Sequence, residues 1–195
     1  MKAGRNQVRI IAGRWRGRKL AFPDVGGLRP SGDRVRETLF NWLTPVLPGA
    51  RCLDLFAGSG ALGFEAASRG AARVVMVENN RAAVEALREN RARLGADAVE
   101  IVARDALAYL RGAAEPFDIV FLDPPFDLDC LAGVGRRLQE GGWLAEGARV
   151  YVETPADRPP PPLPAAWRPL RARRAGQVAY HLFEAGADAE PAAAE

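Results

Sequence analysis

The sequence predicts an α/β fold: a seven-stranded, mainly parallel sheet with helices on both faces, preceded by an N-terminal β-hairpin. Three observations carry this. From residue 51 onward, short near-continuous apolar runs alternate with stretches of helical spacing, the pattern of strands buried on both faces between crossover helices. At 195 residues the chain holds one such core with a short appendage, not two. Two final β-prone runs meet at Ala175-Gly176, which turns them into an antiparallel pair completing the sheet.

From the N-terminus, residues 8 to 22 alternate weakly around Gly13 and Gly17 and are expected to form the hairpin. A helix follows from Ser31 or Asp33, either able to cap it, with Val35, Leu39, Trp42, Leu43 and Val46 on one apolar face, until Pro48-Gly49 stops it. Strands are expected from Arg51 to Phe56, Arg73 to Glu78, Val99 to Ala103, Phe117 to Leu122 and Ala148 to Glu153. The helices between them should run from Ser59 to Arg69, Arg81 to Leu94, Asp105 to Leu110 and Leu128 to Gln139. Thr154 to Pro164 holds six of the fifteen prolines and is expected to be an extended connector to the last strands, Trp167 to Arg173 and Gln177 to Phe183. Residues 185–195 are Ala, Gly and acid with nothing to bury, so a disordered tail is expected. The chain thus divides into a basic N-terminal extension (1–30), a main domain (31–184) and the tail.

Composition excludes several classes. No stretch approaches the roughly 20 apolar residues of a spanning helix, and the N-terminus has no apolar run ending in a cleavage site, so a cytoplasmic protein without membrane contact is expected. Cys52, Cys130 and His181 leave too few soft ligands for a zinc site; the cysteines read as small buried hydrophobes, the histidine as structural, and no metal is expected. The net charge of +3 hides an asymmetry: residues 1–36 carry ten basic and two acidic side chains, which leaves the remainder acidic. Charge that local supplies phosphate contacts to a polyanion. Arg14, Arg16, Arg18 and Lys19, set around Trp15 and two glycines, suit backbone contact with base stacking, and Arg29 and Arg34 extend the basic set.

The residues with chemical meaning stand at strand ends, where open α/β sheets bind ligands. Asp54-Leu55-Phe56-Ala57-Gly58-Ser59-Gly60 is a strand leading into a glycine-rich turn that opens a helix, so backbone can pass close to a ligand. Glu78, followed by Asn79, is placed to take both hydroxyls of a ribose. Asp105, with Ala106 beside it, can accept from an adenine amino group, and Asp54 lies where a ligand ammonium would be neutralised. Nothing among these acids grips a pyrophosphate. Asp123-Pro124-Pro125-Phe126 then follows an apolar strand that two prolines cannot continue. An amino group held there donates to the Asp123 carboxylate and the Pro124 carbonyl while Phe126 stacks on its ring. Two acceptors favour a pyramidal nitrogen able to attack a sulfonium methyl, so catalysis would be positioning and electrostatics.

This tetrapeptide resembles the signature of amino-group methyltransferases acting on nucleic acids. Together with Arg9 to Leu20, Leu28-Arg29-Pro30, Asp33 to Leu43 and Gly176 to Tyr180, it makes the chain, over roughly residues 8–184, similar to the RsmD family of bacterial 16S ribosomal RNA guanine-N2 methyltransferases. The resemblance implies a class I, Rossmann-like methyltransferase domain using S-adenosyl-L-methionine. It implies that Asp54, Gly58, Gly60, Glu78, Asp105 and Ala106 hold the cofactor, in a turn completed by Phe56, Ala57 and Ser59 and with Asn79 alongside. Arg36, Glu37, Thr38 and Phe40 would close over it from the preceding helix, and Asp123 to Phe126 would hold the guanine. The implied partner is 16S rRNA within the small subunit or a late assembly particle, met by a monomer. Asn79-Asn80 and the proline connector depart from the family's pattern. An adenine-N6 methyltransferase, an RNA-binding module without activity and a nicotinamide oxidoreductase stand as rival readings.

Overall fold

The computed structural model describes residues 5–24, 32–125, 130–159 and 161–186. Ser31, Arg29, Phe126, Leu128 and residues 187–195, each the subject of an expectation above, lie outside the described residues.

The hairpin is β1 (Arg5–Arg9) and β2 (Lys19–Pro23), antiparallel with Val8 opposite Leu20. Its strands lie further out than the sequence suggested, so Arg14, Arg16 and Arg18 fall in the connecting loop, and only Lys19 is on a strand. Helix α1 (Asp33–Leu43) begins after Gly32 without a side-chain cap, correcting the caps expected from Ser31 or Asp33. It stops short of Val46, which is 38% exposed, while Val35, Leu39 and Leu43 are buried as their spacing requires.

Next come β3 (Arg51–Asp54), α2 (Ala61–Ser68), β4 (Arg73–Glu78), α3 (Arg81–Leu94), β5 (Val99–Ala103) and α4 (Ala106–Tyr109). Then follow β6 (Phe117–Leu122), α5 (Leu131–Glu140), β7 (Leu144–Pro155), β8 (Trp167–Ala175) and β9 (Val178–Ala185). The sheet order is β5-β4-β3-β6-β7-β9-β8, parallel from β5 to β7 and antiparallel at β9 and β8. Order reverses between β3 and β6, the place beyond whose carboxyl ends open sheets of this kind bind their ligands.

Alternation along each central strand feeds two cores. Cys52, Val74, Met76, Ile119 and Phe121 face the layer of α1, α2, α3 and the hairpin; Leu53, Val75, Val77, Val120 and Leu122 face α4 and α5. Val8, Ile10, Trp15, Leu20 and Phe22 belong to the first of these, so the N-terminal extension shares the main domain's core. Trp15 is only 7% exposed, which corrects its expected role as a stacking platform for bases. Ala185 is the buried last residue of β9 and Gly186 N–H donates to Ala166 O at 3.0 Å, so the tail begins later than expected. Cys52 is buried, whereas Cys130 is only partly so.

Candidate active site at the carboxyl edge of the sheet

Four acids reach one edge because β3, β4, β5 and β6 are parallel and each ends just before or at an acid. Asp54 ends β3, Glu78 ends β4, Asp105 lies two residues past β5, and Asp123 follows β6. Asp54 is paired in register with Met76 on one side and Phe121 on the other, at the reversal of strand order.

The turn after β3 is held by its backbone. Ala57 N–H donates to Val77 O at 3.0 Å and Gly60 N–H to Ala57 O at 2.7 Å. Gly58 and Gly60 have φ of 51° and 78°, the left-handed region that side chains disfavour. A Cβ on Gly60 would also stand 2.6 Å from Leu87 Cδ2, so packing as well as dihedral requires glycine there. This left-handed entry delays α2 to Ala61, two residues after the expected start. Ser59 is buried, its Oγ accepting from Ala61 N–H at 3.3 Å, and Phe56 is half-buried.

Asp54 is 1% exposed. Its Oδ2 accepts from Gly63 N–H at 3.2 Å, and its Oδ1 is buried with no hydrogen-bond partner. Burial raises the carboxyl's pKa to about 7; the amides of Phe56 and Gly63 pull it down, and the charge of Glu78 pushes it up further. A buried carboxylate whose second oxygen makes no hydrogen bond, and which no basic side chain among the described residues neutralises, fits a ligand cation. Glu78 is half-buried, accepting from Gly58 N–H at 2.8 Å and from Asn80 N–H at 2.7 Å, so it fixes the glycine turn while keeping lone pairs for hydroxyl donors. Asp105 is exposed and caps α4 through Ala108 N–H at 2.9 Å. No basic side chain pairs with Asp54, Glu78 or Asp105 among the described residues.

Asp123 is half-buried, Pro124 buried and Pro125 exposed. On the neighbouring strand, buried Tyr151 donates to Glu153 Oε2 at 2.7 Å, and burial together with the charges of Glu153 and Asp123 holds the phenol well above its usual pKa. Asn79 is exposed; Asn80 caps α3 by accepting from the N–H groups of Ala82 and Ala83 at 3.0 and 3.1 Å.

The other residues expected around the cofactor lie on α1, whose Phe40 packs against Phe121, the residue in register with Asp54. Arg36 is 0% exposed, donating to Arg9 O at 2.9 Å and Asp33 Oδ1 at 2.6 Å with Glu65 at 3.6 Å, so it ties the hairpin to α2. Phe40 is likewise fully buried, packed on Phe121 at 6.0 Å, while Glu37 is exposed and Thr38 Oγ1 donates to Arg34 O.

The exposed Arg14, Arg16 and Arg18 sit beside the C-terminal end of α2, where Arg14 N–H donates to Ser68 O at 2.7 Å. A crossover helix starts at the carboxyl edge and ends at the amino edge, so this basic loop lies at the opposite end of the strands from Asp123. Glu65 was missed by sequence reasoning. It is fully buried and accepts from Ile11 N–H (2.7 Å), Ala12 N–H (3.0 Å) and Arg69 Nε (2.7 Å); its signal was the lone charge in the otherwise apolar Ala61–Ser68.

Sheet order, switch point and acidic strand ends define a class I methyltransferase domain. A family model described as "Conserved hypothetical protein 95" matches residues 8–184, and the chain belongs to this family, that of RsmD. It is 49% identical over 188 residues to "Ribosomal RNA small subunit methyltransferase D" of Escherichia coli strain K12, covering 96% of this chain and 95% of that one. The Haemophilus influenzae protein of the same name is 43% identical, covering 92% and 95%. The solved structure "Putative methyltransferase yhhF from Escherichia coli" superposes with a TM-score of 0.88 at 48% identity, over 94% of this chain and 100% of the other.

Proposed function

We propose that this chain transfers a methyl group from S-adenosyl-L-methionine to the exocyclic N2 of a guanine in 16S rRNA, acting as a cytoplasmic monomer on the small subunit or a late assembly particle. The observation that carries this reading is the buried, unpartnered Oδ1 of Asp54 on the same edge as Glu78, Asp105 and Asp123. The names of the relatives support the rRNA substrate.

The cofactor, when bound, supplies an electrophilic methyl on sulfur. Asp54 neutralises its ammonium, Glu78 accepts from the ribose hydroxyls, Asp105 and the Ala106 N–H address the adenine, and the turn Phe56 to Gly60, with Asn79, shapes the crevice. Asp123 and the Pro124 carbonyl accept the two N–H bonds of the guanine amino group. That concentrates the lone pair on nitrogen and aims it away from the ring; Pro125 keeps the loop rigid and Phe126 stacks on the base. Residues 31–184 carry this chemistry, while Arg14, Arg16, Arg18, Lys19, Arg29 and Arg34 contact phosphates.

Mass spectrometry of nucleosides from 16S rRNA of cells lacking the gene tests it. Loss of one N2-methylguanosine, restored by the purified protein acting on small-subunit particles, is expected. Loss of N6-methyladenosine instead would move the assignment to the adenine enzymes.

A further inference from the structure

The charge pattern of the sequence points to the N-terminus, but the structure gathers a second set of arginines at the catalytic end of the sheet. Strand β8 carries Arg168, Arg171, Arg173 and Arg174, all exposed. Arg168 is paired with Glu184; no ion pair joins Arg173, Arg174 or the exposed Arg158 to an acid among the described residues. Arg158, Arg173 and Arg174 line a concavity of about 360 Å³ together with Thr154, Ala172, Ala179 and His181.

Register fixes the level of this cluster. Leu122 is opposite Val152, so Asp123 stands at the level of Glu153; Glu153 is opposite Tyr180, and Tyr180 is opposite Arg173. One rung further, Thr154, Ala179 and Arg174 align. Arg173 and Arg174 therefore lie level with Asp123 and Pro124, three strand spacings away, about 14 Å. The N-terminal basic loop, in contrast, is at the opposite end of the strands.

Protection of a sheet edge against pairing is the plain alternative explanation for charges on β8. It requires charge but no particular sign. The other edge strand, β5, shows what that looks like: Glu100 there is paired with Arg73 at 2.6 Å. On β8 the charge has one sign and stands largely uncompensated, beside a floor of small side chains open to a ligand. Such a surface fits closely spaced anions.

We infer that Arg158, Arg173 and Arg174 form a phosphate-binding surface that grips the RNA strand flanking the target base. The inference rests on the rRNA methyltransferase reading. The guanidinium groups would bind the backbone and not the bases, so they add affinity and register without sequence preference.

The test is binding and methylation of small-subunit particles by the triple variant Arg158→Ala, Arg173→Ala, Arg174→Ala across a salt series, with S-adenosylhomocysteine titration as the check of fold. Taking one guanidinium off a phosphate flattens log affinity against log salt by ~0.7, so the slope should fall by about 2, roughly a hundred-fold in affinity near 0.1 M salt. KM should rise while kcat at saturation and cofactor affinity stay put. An unchanged slope overturns the inference, even if binding weakens, since that would place a non-nucleic-acid partner on the surface. If the triple variant does not bind the cofactor, Arg158→Ala alone, outside any strand, should flatten the slope by ~0.7, and no change overturns the inference equally. If the parent protein does not methylate the particles at all, the functional reading fails and not this surface alone.

Discussion

Two buried carboxylates, eleven residues apart in sequence, are treated in opposite ways. Around Glu65, where the hairpin docks, two backbone amides and Arg69 donate to one fully buried carboxylate, with Arg36 behind them. Around Asp54, at the carboxyl edge, Gly63 N–H donates, the Phe56 amide lies near, and Oδ1 is left without a hydrogen-bond partner or, among the described residues, a cation behind it. A buried acid with its donors in place holds the scaffold together. One with a donor missing is destabilising until something else supplies it, and so marks where a ligand belongs.

The largest expected effect is on the scaffold side. Glu65→Ala leaves Arg36 and two amides without their acceptor in the interior, so chemical denaturation should show a loss of ~3 to 5 kcal/mol. A loss under about 1 kcal/mol would show that the carboxylate is not what pins the hairpin.

At the other region, Asp123→Ala should leave stability and S-adenosylhomocysteine binding near parental values while single-turnover methyl transfer falls ~10² to 10³ fold, or about 3 to 4 kcal/mol in the barrier. Parental rates would mean the chemistry lies elsewhere on the edge.

Asp54→Asn keeps an acceptor for Gly63 N–H but removes the charge. Calorimetry should show cofactor affinity weaker by ~1.5 to 3 kcal/mol, the range of hydrogen bonds to charged groups, with thermal stability of the free protein at pH 8 equal or higher. A variant that is less stable and binds normally would make Asp54 resemble Glu65.

The pH dependence sharpens the same point. With a folded-state pKa of about 7 against 3.8 for an ordinary Asp, the native protein holds a proton at Asp54 that the unfolded chain has lost. This group's contribution to free-protein stability is therefore greatest at low pH and declines as pH rises through that window, levelling off above about 7. A cationic ligand needs the ionised form, so cofactor affinity should rise about ten-fold per pH unit below the folded pKa and flatten above it. Asp54→Asn should remove this component of the pH dependence.

The smallest effect belongs to the amino edge, where Glu115 is paired with Arg51 and Arg73. These side chains are about a third exposed, so Glu115→Ala should cost no more than ~1 kcal/mol and leave turnover unchanged. A large loss of activity would break the division between the two ends of the strands.

How much of this was legible varies with what kind of interaction sets each feature. Arg73–Glu78, Arg81–Leu94, Val99–Ala103 and Phe117–Leu122 were readable to the residue, because unbroken apolar runs or helical spacing end abruptly at charges and turns. The acids at the strand ends came with them, since position along a parallel strand fixes which edge a residue reaches. The start of β7 at Leu144 was missed: a register shift separates its first rung, Leu144 with Phe117, from the run beginning at Arg149, and Gly147 looked like a loop. Long-range partners were not legible. Nothing local tells Arg36 to seek Glu65, or Trp15 to enter the core instead of awaiting a base, because these choices are made by residues far along the chain, Ser68 standing 53 positions beyond Trp15.

The docking of the hairpin sets an order of events during synthesis. Trp15 N–H bonds the Ser68 hydroxyl 53 residues later, Ala21 bonds Asn90 69 residues later, and Arg93 reaches back to Lys19 across 74. A ribosome adding 5 to 20 residues per second needs roughly 4 to 15 seconds to make the last of those partners. For that interval this basic segment has been made but lacks the surface it folds against, so a segment synthesised well before its partners is among the last to settle.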